Sequence, residues 1–75
     1  MRKTIRRKIY DTGTAEQLSF RYSGEYGDSA GYEERLYITP RGLHFIYGFG
    51  GADSIYPEET IKPLTEEEAA AWQSA

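Results

Sequence analysis

The chain contains no cysteine, so a domain of 75 residues has to hold together without a disulfide or a thiolate metal clip. Chains of this length sit near the lower limit for folding on packing alone, because a small body buries a small share of its surface. Its large apolar side chains are an unusual set: seven tyrosines against three phenylalanines, one tryptophan and one methionine. Tyrosine couples a broad, stiff ring to a polar tip, and an excess over what a small core can hold points to recognition surfaces. Residues 1–75 are read as one small domain.

Turn residues divide the chain into segments too short for helices until its end. Arg2 to Tyr10 reads as a first strand, with Ile5 and Ile9 as its apolar positions. Asp11-Thr12-Gly13-Thr14 is a turn, and Ala15 to Tyr22 alternates as the expected hairpin partner, half-buried through Leu18, Phe20 and Tyr22. Ser23 to Gly31 is a wide, glycine-rich loop. Tyr32 to Thr39 and Leu43 to Tyr47 form a second hairpin about Pro40-Arg41-Gly42. A three-residue loop there pairs Thr39 with Leu43, Tyr37 with Phe45 and Arg35 with Tyr47 on one face, and Ile38 with His44 and Leu36 with Ile46 on the other. A two-residue loop would improve the amphipathicity, but proline does not suit the turns such loops prefer.

Gly48-Phe49-Gly50-Gly51 is expected to break that strand, and Ile61 to Leu64 to add a short edge strand that tolerates Pro63. Thr65 and Glu68 make a capping box for a last helix through Ala69-Ala70-Ala71-Trp72, with Leu64 stapled to Ala69 and Trp72 anchoring it. The expected fold is α+β, an antiparallel four- to five-stranded meander with one C-terminal helix packed on the sheet.

Charge is unevenly distributed. Arg2, Lys3, Arg6, Arg7 and Lys8 crowd the first eight residues, and the remaining four basic residues stand against all twelve acids. A basic leading segment on an acidic body marks either an electrostatic docking surface or a nucleic-acid arm, although mutual solvation of the two explains it as well. No apolar run approaches the roughly 18 residues of a membrane span, and the N-terminus lacks the apolar stretch of a secretion signal. A soluble, cytoplasmic protein without membrane contact is expected.

Catalytic motifs are weak. Asp11-Thr12-Gly13 matches the aspartic-protease triplet, but Arg6-Arg7-Lys8 stand where those enzymes carry an apolar strand. The run Gly48 to Gly51 lacks the following helix and Lys-Ser/Thr of a phosphate-cradling loop. His44 is the only histidine, and Glu33-Glu34 and Glu58-Glu59 are adjacent pairs that a strand would turn to opposite faces. The chain is therefore read as a non-enzyme with no cofactor and no metal.

Surfaces remain. Glu25, Tyr26, Asp28, Tyr32 and Glu33, joined by Tyr37 and Tyr56, mix tyrosine with carboxylate in a way that suits docking on a basic groove of a protein partner. The alternative is a nucleic-acid surface of Arg2, Lys3, Arg6, Arg7, Lys8 and Arg35 beside Tyr37, Phe45 and Tyr47, disfavoured by the acidic surroundings. A homodimer through an exposed strand edge stands beside a monomer.

Three segments carry a resemblance: Lys8-Ile9-Tyr10-Asp11-Thr12 with Thr14-Ala15, Leu36-Tyr37 with Phe45 through Gly51, and Ile61 through Ala69. In order and spacing these resemble a family of small bacterial proteins of unassigned function associated with plasmids, integrated elements and phages, with a shortening between Tyr56 and Ile61. The resemblance implies no catalytic residues. It implies a setting in which small acidic proteins block host defence complexes stoichiometrically, as anti-CRISPR proteins do. The expected role is accordingly a protein that docks on a host nucleic-acid-handling complex and inhibits it.

Overall fold

A computed structural model describes residues 1–24 and 27–74. They form β1 (Arg2–Ile5), β2 (Lys8–Asp11), β3 (Glu16–Ser23), β4 (Tyr32–Ile38), β5 (His44–Gly50), β6 (Thr60–Leu64) and α1 (Glu66–Ser74). Strands β3-β4-β5-β6 make one antiparallel meander, and β1-β2 pair separately. The expected α+β architecture is present.

The β4–β5 hairpin has the register of a three-residue loop: Arg35 faces Tyr47, Leu36 faces Ile46, Tyr37 faces Phe45 and Ile38 faces His44. Thr39 closes it three times. Its N–H donates to the Leu43 carbonyl at 2.8 Å, its carbonyl accepts the Gly42 N–H at 2.9 Å, and its hydroxyl oxygen accepts the Leu43 N–H at 3.0 Å. Gly42, at φ 85°, supplies the left-handed residue that the turn requires.

Opposed residues on antiparallel strands share a face, so this register builds two cores. On one face Tyr37, Phe45 and Ile61 pack against Tyr10 of the small hairpin, with Ile5, Leu43 and Tyr47 around them. On the other, Leu36 and Ile46 pack against Ala69, with Leu64 and Trp72 closing the edges. The capping box is reciprocal, Glu68 N–H to the Thr65 hydroxyl at 3.1 Å and Thr65 N–H to the Glu68 carboxylate at 3.0 Å. Leu64 and Trp72 thus hold the helix as the sequence pattern suggests.

The leading segment is not one strand. It turns at Arg6 and Arg7, which both take left-handed backbone conformations (φ 51° and 67°) in a two-residue turn between Ile5 and Lys8. Hairpins of this kind ask for Asn-Gly, so nothing in the pair of arginines announced it. The pairing expected for Ala15 to Tyr22 also changes: β3 pairs with β4, from Glu16 opposite Ile38 to Ser23 opposite Tyr32, with an irregularity between Gln17 and Ser19. β3 is thereby an edge strand, and Leu18, Phe20 and Tyr22 are exposed instead of half-buried.

The glycine run does not break β5. Gly48 is buried within the strand because the ring of Tyr56 lies on it, where a Cβ would come 2.5 Å from the nearest ring atom. A Gly48→Ala variant is expected to lose about 1–3 kcal/mol of stability by displacing that ring, measurable by denaturant unfolding. Replacing the strained turn, Arg6→Asn with Arg7→Gly, is expected to raise stability by about 1 kcal/mol, read as a higher urea midpoint at an unchanged m-value.

Candidate functional site

The small hairpin covers only one end of its sheet face. Beyond it the register lays out two rows, Phe20–Arg35–Tyr47 and Tyr22–Glu33–Phe49, across β3, β4 and β5. Phe20 is 55% exposed and Tyr22 is 72% exposed, and the other four are half-buried. Sheet residues of this size normally lie under a second layer. Here Phe20 and Tyr22 lie open, and Tyr47 borders the core that the hairpin closes.

Arg35 is the centre of the patch. Its guanidinium carbon lies 5.2 Å from the centroid of the Phe49 ring, and its Nε is ion-paired with Glu33. Phe49 in turn packs against Tyr47, with ring centroids 5.3 Å apart. The Tyr47 hydroxyl donates to Glu59 at 2.7 Å. The rings and the arginine are thus held in place before any ligand arrives, which lowers the entropy cost of binding. The patch carries carboxylates as well as the arginine. Past Tyr22, Glu33 and Phe49 the face opens into a cleft of about 670 Å³ against the β3–β4 connection.

The tyrosine-and-carboxylate surface expected from the sequence is divided between that cleft and the interior. Glu25 and Tyr26 lie outside the described residues. Tyr37 is in the core under the hairpin, stacked on Phe45 at 5.2 Å. Tyr56 is buried on the opposite face, where its hydroxyl donates to Glu34 at 2.6 Å and Tyr32 packs edge-on against it at 5.6 Å. Asp28 is exposed and accepts the Ala30 N–H at 3.0 Å, and Glu33 is committed to Arg35. Asp28, Tyr32 and Glu33 line the cleft together, and of that set only Glu33 also belongs to the aromatic patch.

Of the alternative surface, Arg2, Lys3, Arg6, Arg7 and Lys8 sit on the small hairpin, over the same sheet face as Arg35 but at its other end. Phe20, Tyr22 and Phe49 belong to the site, although alternation along Ala15 to Tyr22 marks the first two as half-buried and the glycine run sets Phe49 at a strand break. Their residue types gave a signal, and the edge position of β3 that exposes Phe20 and Tyr22 did not. Among the described residues no helix is long and apolar enough to cross a membrane, and no group of three metal-binding side chains converges.

No protein-family model, curated protein or solved structure matches the chain. The surface itself therefore carries the functional reading.

Burial, the hydrogen bond to Glu59 and that carboxylate's charge push the Tyr47 hydroxyl up to about 12, and burial with Glu34 pushes Tyr56 further. Both groups favour the protonated form in the folded state. The stability they contribute is full below the ordinary tyrosine pKa of about 10 and is lost as pH rises through their raised values. In an alkaline titration followed by tyrosinate absorbance, Tyr47 and Tyr56 are expected to ionise above the ordinary tyrosine range. The Tyr47→Phe variant should remove one late step and leave the Tyr56 step in place.

Proposed function

We propose that the chain is a non-enzymatic binding module that docks on a protein partner through the open face of its sheet. The supporting observation is the uncovered patch of Phe20, Tyr22, Tyr47 and Phe49 around Arg35. Aromatic residues and arginine are the types that dominate binding energy at protein interfaces, above all where they are rigid and ringed by polar groups. Glu33 and Glu59 supply that rim and leave Arg35 with little net positive charge to offer a phosphate. A partner with a shallow apolar surface and basic edges fits this layout. The setting implied by the sequence resemblance supports a host nucleic-acid-handling complex as that partner, inhibited by occupation of its surface.

A second reading, a single-strand nucleic-acid module, has one observation in its favour: the basic hairpin lies over the same face as the aromatic patch. Stacking of bases on Phe20, Tyr22 and Phe49 with phosphates toward the hairpin would need the two ends of the face to act together.

The test is capture of host effectors by the purified protein alongside a retardation assay with single-stranded DNA at low salt. Phe20→Ala with Tyr22→Ala is expected to weaken effector binding by about 2–4 kcal/mol while leaving the fold intact, because both side chains are exposed. Arg6→Ala with Arg7→Ala should leave it within about threefold. No effector retained at micromolar concentration would end the docking reading. A retained DNA strand, released by either pair of substitutions and by added salt, would establish the second.

A further inference from the structure

A second feature lies away from the aromatic patch. The turn between β1 and β2, the Thr14 turn and the turn between β4 and β5 enclose a cleft of about 430 Å³. Arg7, Lys8 and Arg41 line it from two sides, with Thr14, Thr39 and Ile9 between them. Among the described residues that line it, none is acidic, although the chain as a whole carries more acids than bases. Two acids stand within two residues of the lining in sequence: Asp11 turns its carboxylate to the Gly13 N–H at 2.8 Å, and Glu16 opposes Ile38 at the start of β3.

Two further observations concern how the cleft is built. Arg6 and Arg7 occupy left-handed conformations where Asn and Gly would sit without strain. The turn brings Ile5 and Tyr10 to the core, but the two arginine side chains themselves stay exposed, so packing explains the turn and not the choice of arginine for it. Thr39, only 7% exposed, accepts the Leu43 N–H at its hydroxyl oxygen and so has its own proton to give. Fixed hydroxyl, two guanidinium groups and one ammonium supply the donors that a phosphate ester takes up, with arginine binding two oxygens at once. The apolar wall at Ile9, itself 49% exposed, offers a surface for the organic part.

We infer that this cleft, formed by the arginine turn and the Pro40-Arg41-Gly42 turn, binds a phosphate ester through Arg7, Lys8, Arg41 and Thr39. The volume falls within the range of small-ligand pockets, roughly 300–1,000 Å³. It holds a nucleoside monophosphate or one phosphodiester unit of a strand, two sources of the same chemistry. The site is independent of the docking reading, since it shares none of the patch residues.

The experiment is titration of the isotope-labelled protein by NMR at constant ionic strength with inorganic pyrophosphate, a nucleoside monophosphate and a short oligothymidylate. Saturable shifts centred on Arg7, Lys8, Thr39 and Arg41 are expected with all three, and none with chloride. Arg41→Ala, at an exposed turn position, should weaken each by about tenfold. Arg6→Asn with Arg7→Gly should also bind about tenfold more weakly, even though it unfolds at higher urea, which separates loss of the site from loss of the fold. Tighter binding of the oligothymidylate, with shifts reaching Phe49, assigns the phosphate to a strand; equal binding of the mononucleotide assigns it to a small molecule. Shifts that do not saturate, that chloride reproduces, or that survive both variants overturn the inference.

Discussion

The pairing of β4 with β5 in a single register is the constraint on which the rest depends. Leu36, Phe45 and Ile46 are the most deeply buried large side chains, and all three lie in these two strands. Because side chains alternate, a slip by one residue would exchange the two faces wholesale and put Arg35 under the helix. The turn prevents it. Thr39 binds both chain directions across Pro40-Arg41-Gly42, so the register is fixed by contacts within the turn itself.

From that pair outward, the two faces are completed by different means. The helix covers the aliphatic side through Ala69 and Trp72, helped by Arg21, whose guanidinium stacks on the indole ring at 4.3 Å while its Nε holds Glu34 at 3.0 Å. Glu34 then accepts the Tyr56 hydroxyl, which brings the Tyr56 ring down on Gly48. That side is closed by a chain of polar contacts as well as by packing. On the aromatic side the small hairpin brings a single large ring, Tyr10, set edge-on to Phe45 at 5.5 Å. One ring cannot cover four strands, and the uncovered part is the candidate site.

Much of this was legible in local pattern. The capping box, the edge strand bearing Pro63, the second hairpin and its register each rest on residues within a few positions of one another, where turn chemistry and side-chain alternation decide the outcome. The candidate site was legible in residue type only. Phe20 and Tyr22 alternate as a core strand should, and nothing within β3 says that its neighbour on one side is solvent. The acid-flanked tyrosines looked like one surface in sequence, yet Tyr37 and Tyr56 finish buried on opposite faces of the sheet because β4 and the loop before β6 turn them different ways.

By itself the amino-acid sequence determined a small α+β domain without disulfides, the turn at Pro40-Arg41-Gly42, the helix start at Thr65, and the asymmetry of its charge. These follow from covalent geometry and short-range hydrogen bonding. Tertiary structure decided which strand lies at the edge, which aromatics are covered, and that Arg7, Lys8 and Arg41 face one cleft. Each of those outcomes depends on distant segments meeting, above all on two arginines accepting a left-handed turn so that β2 can fold back over the sheet.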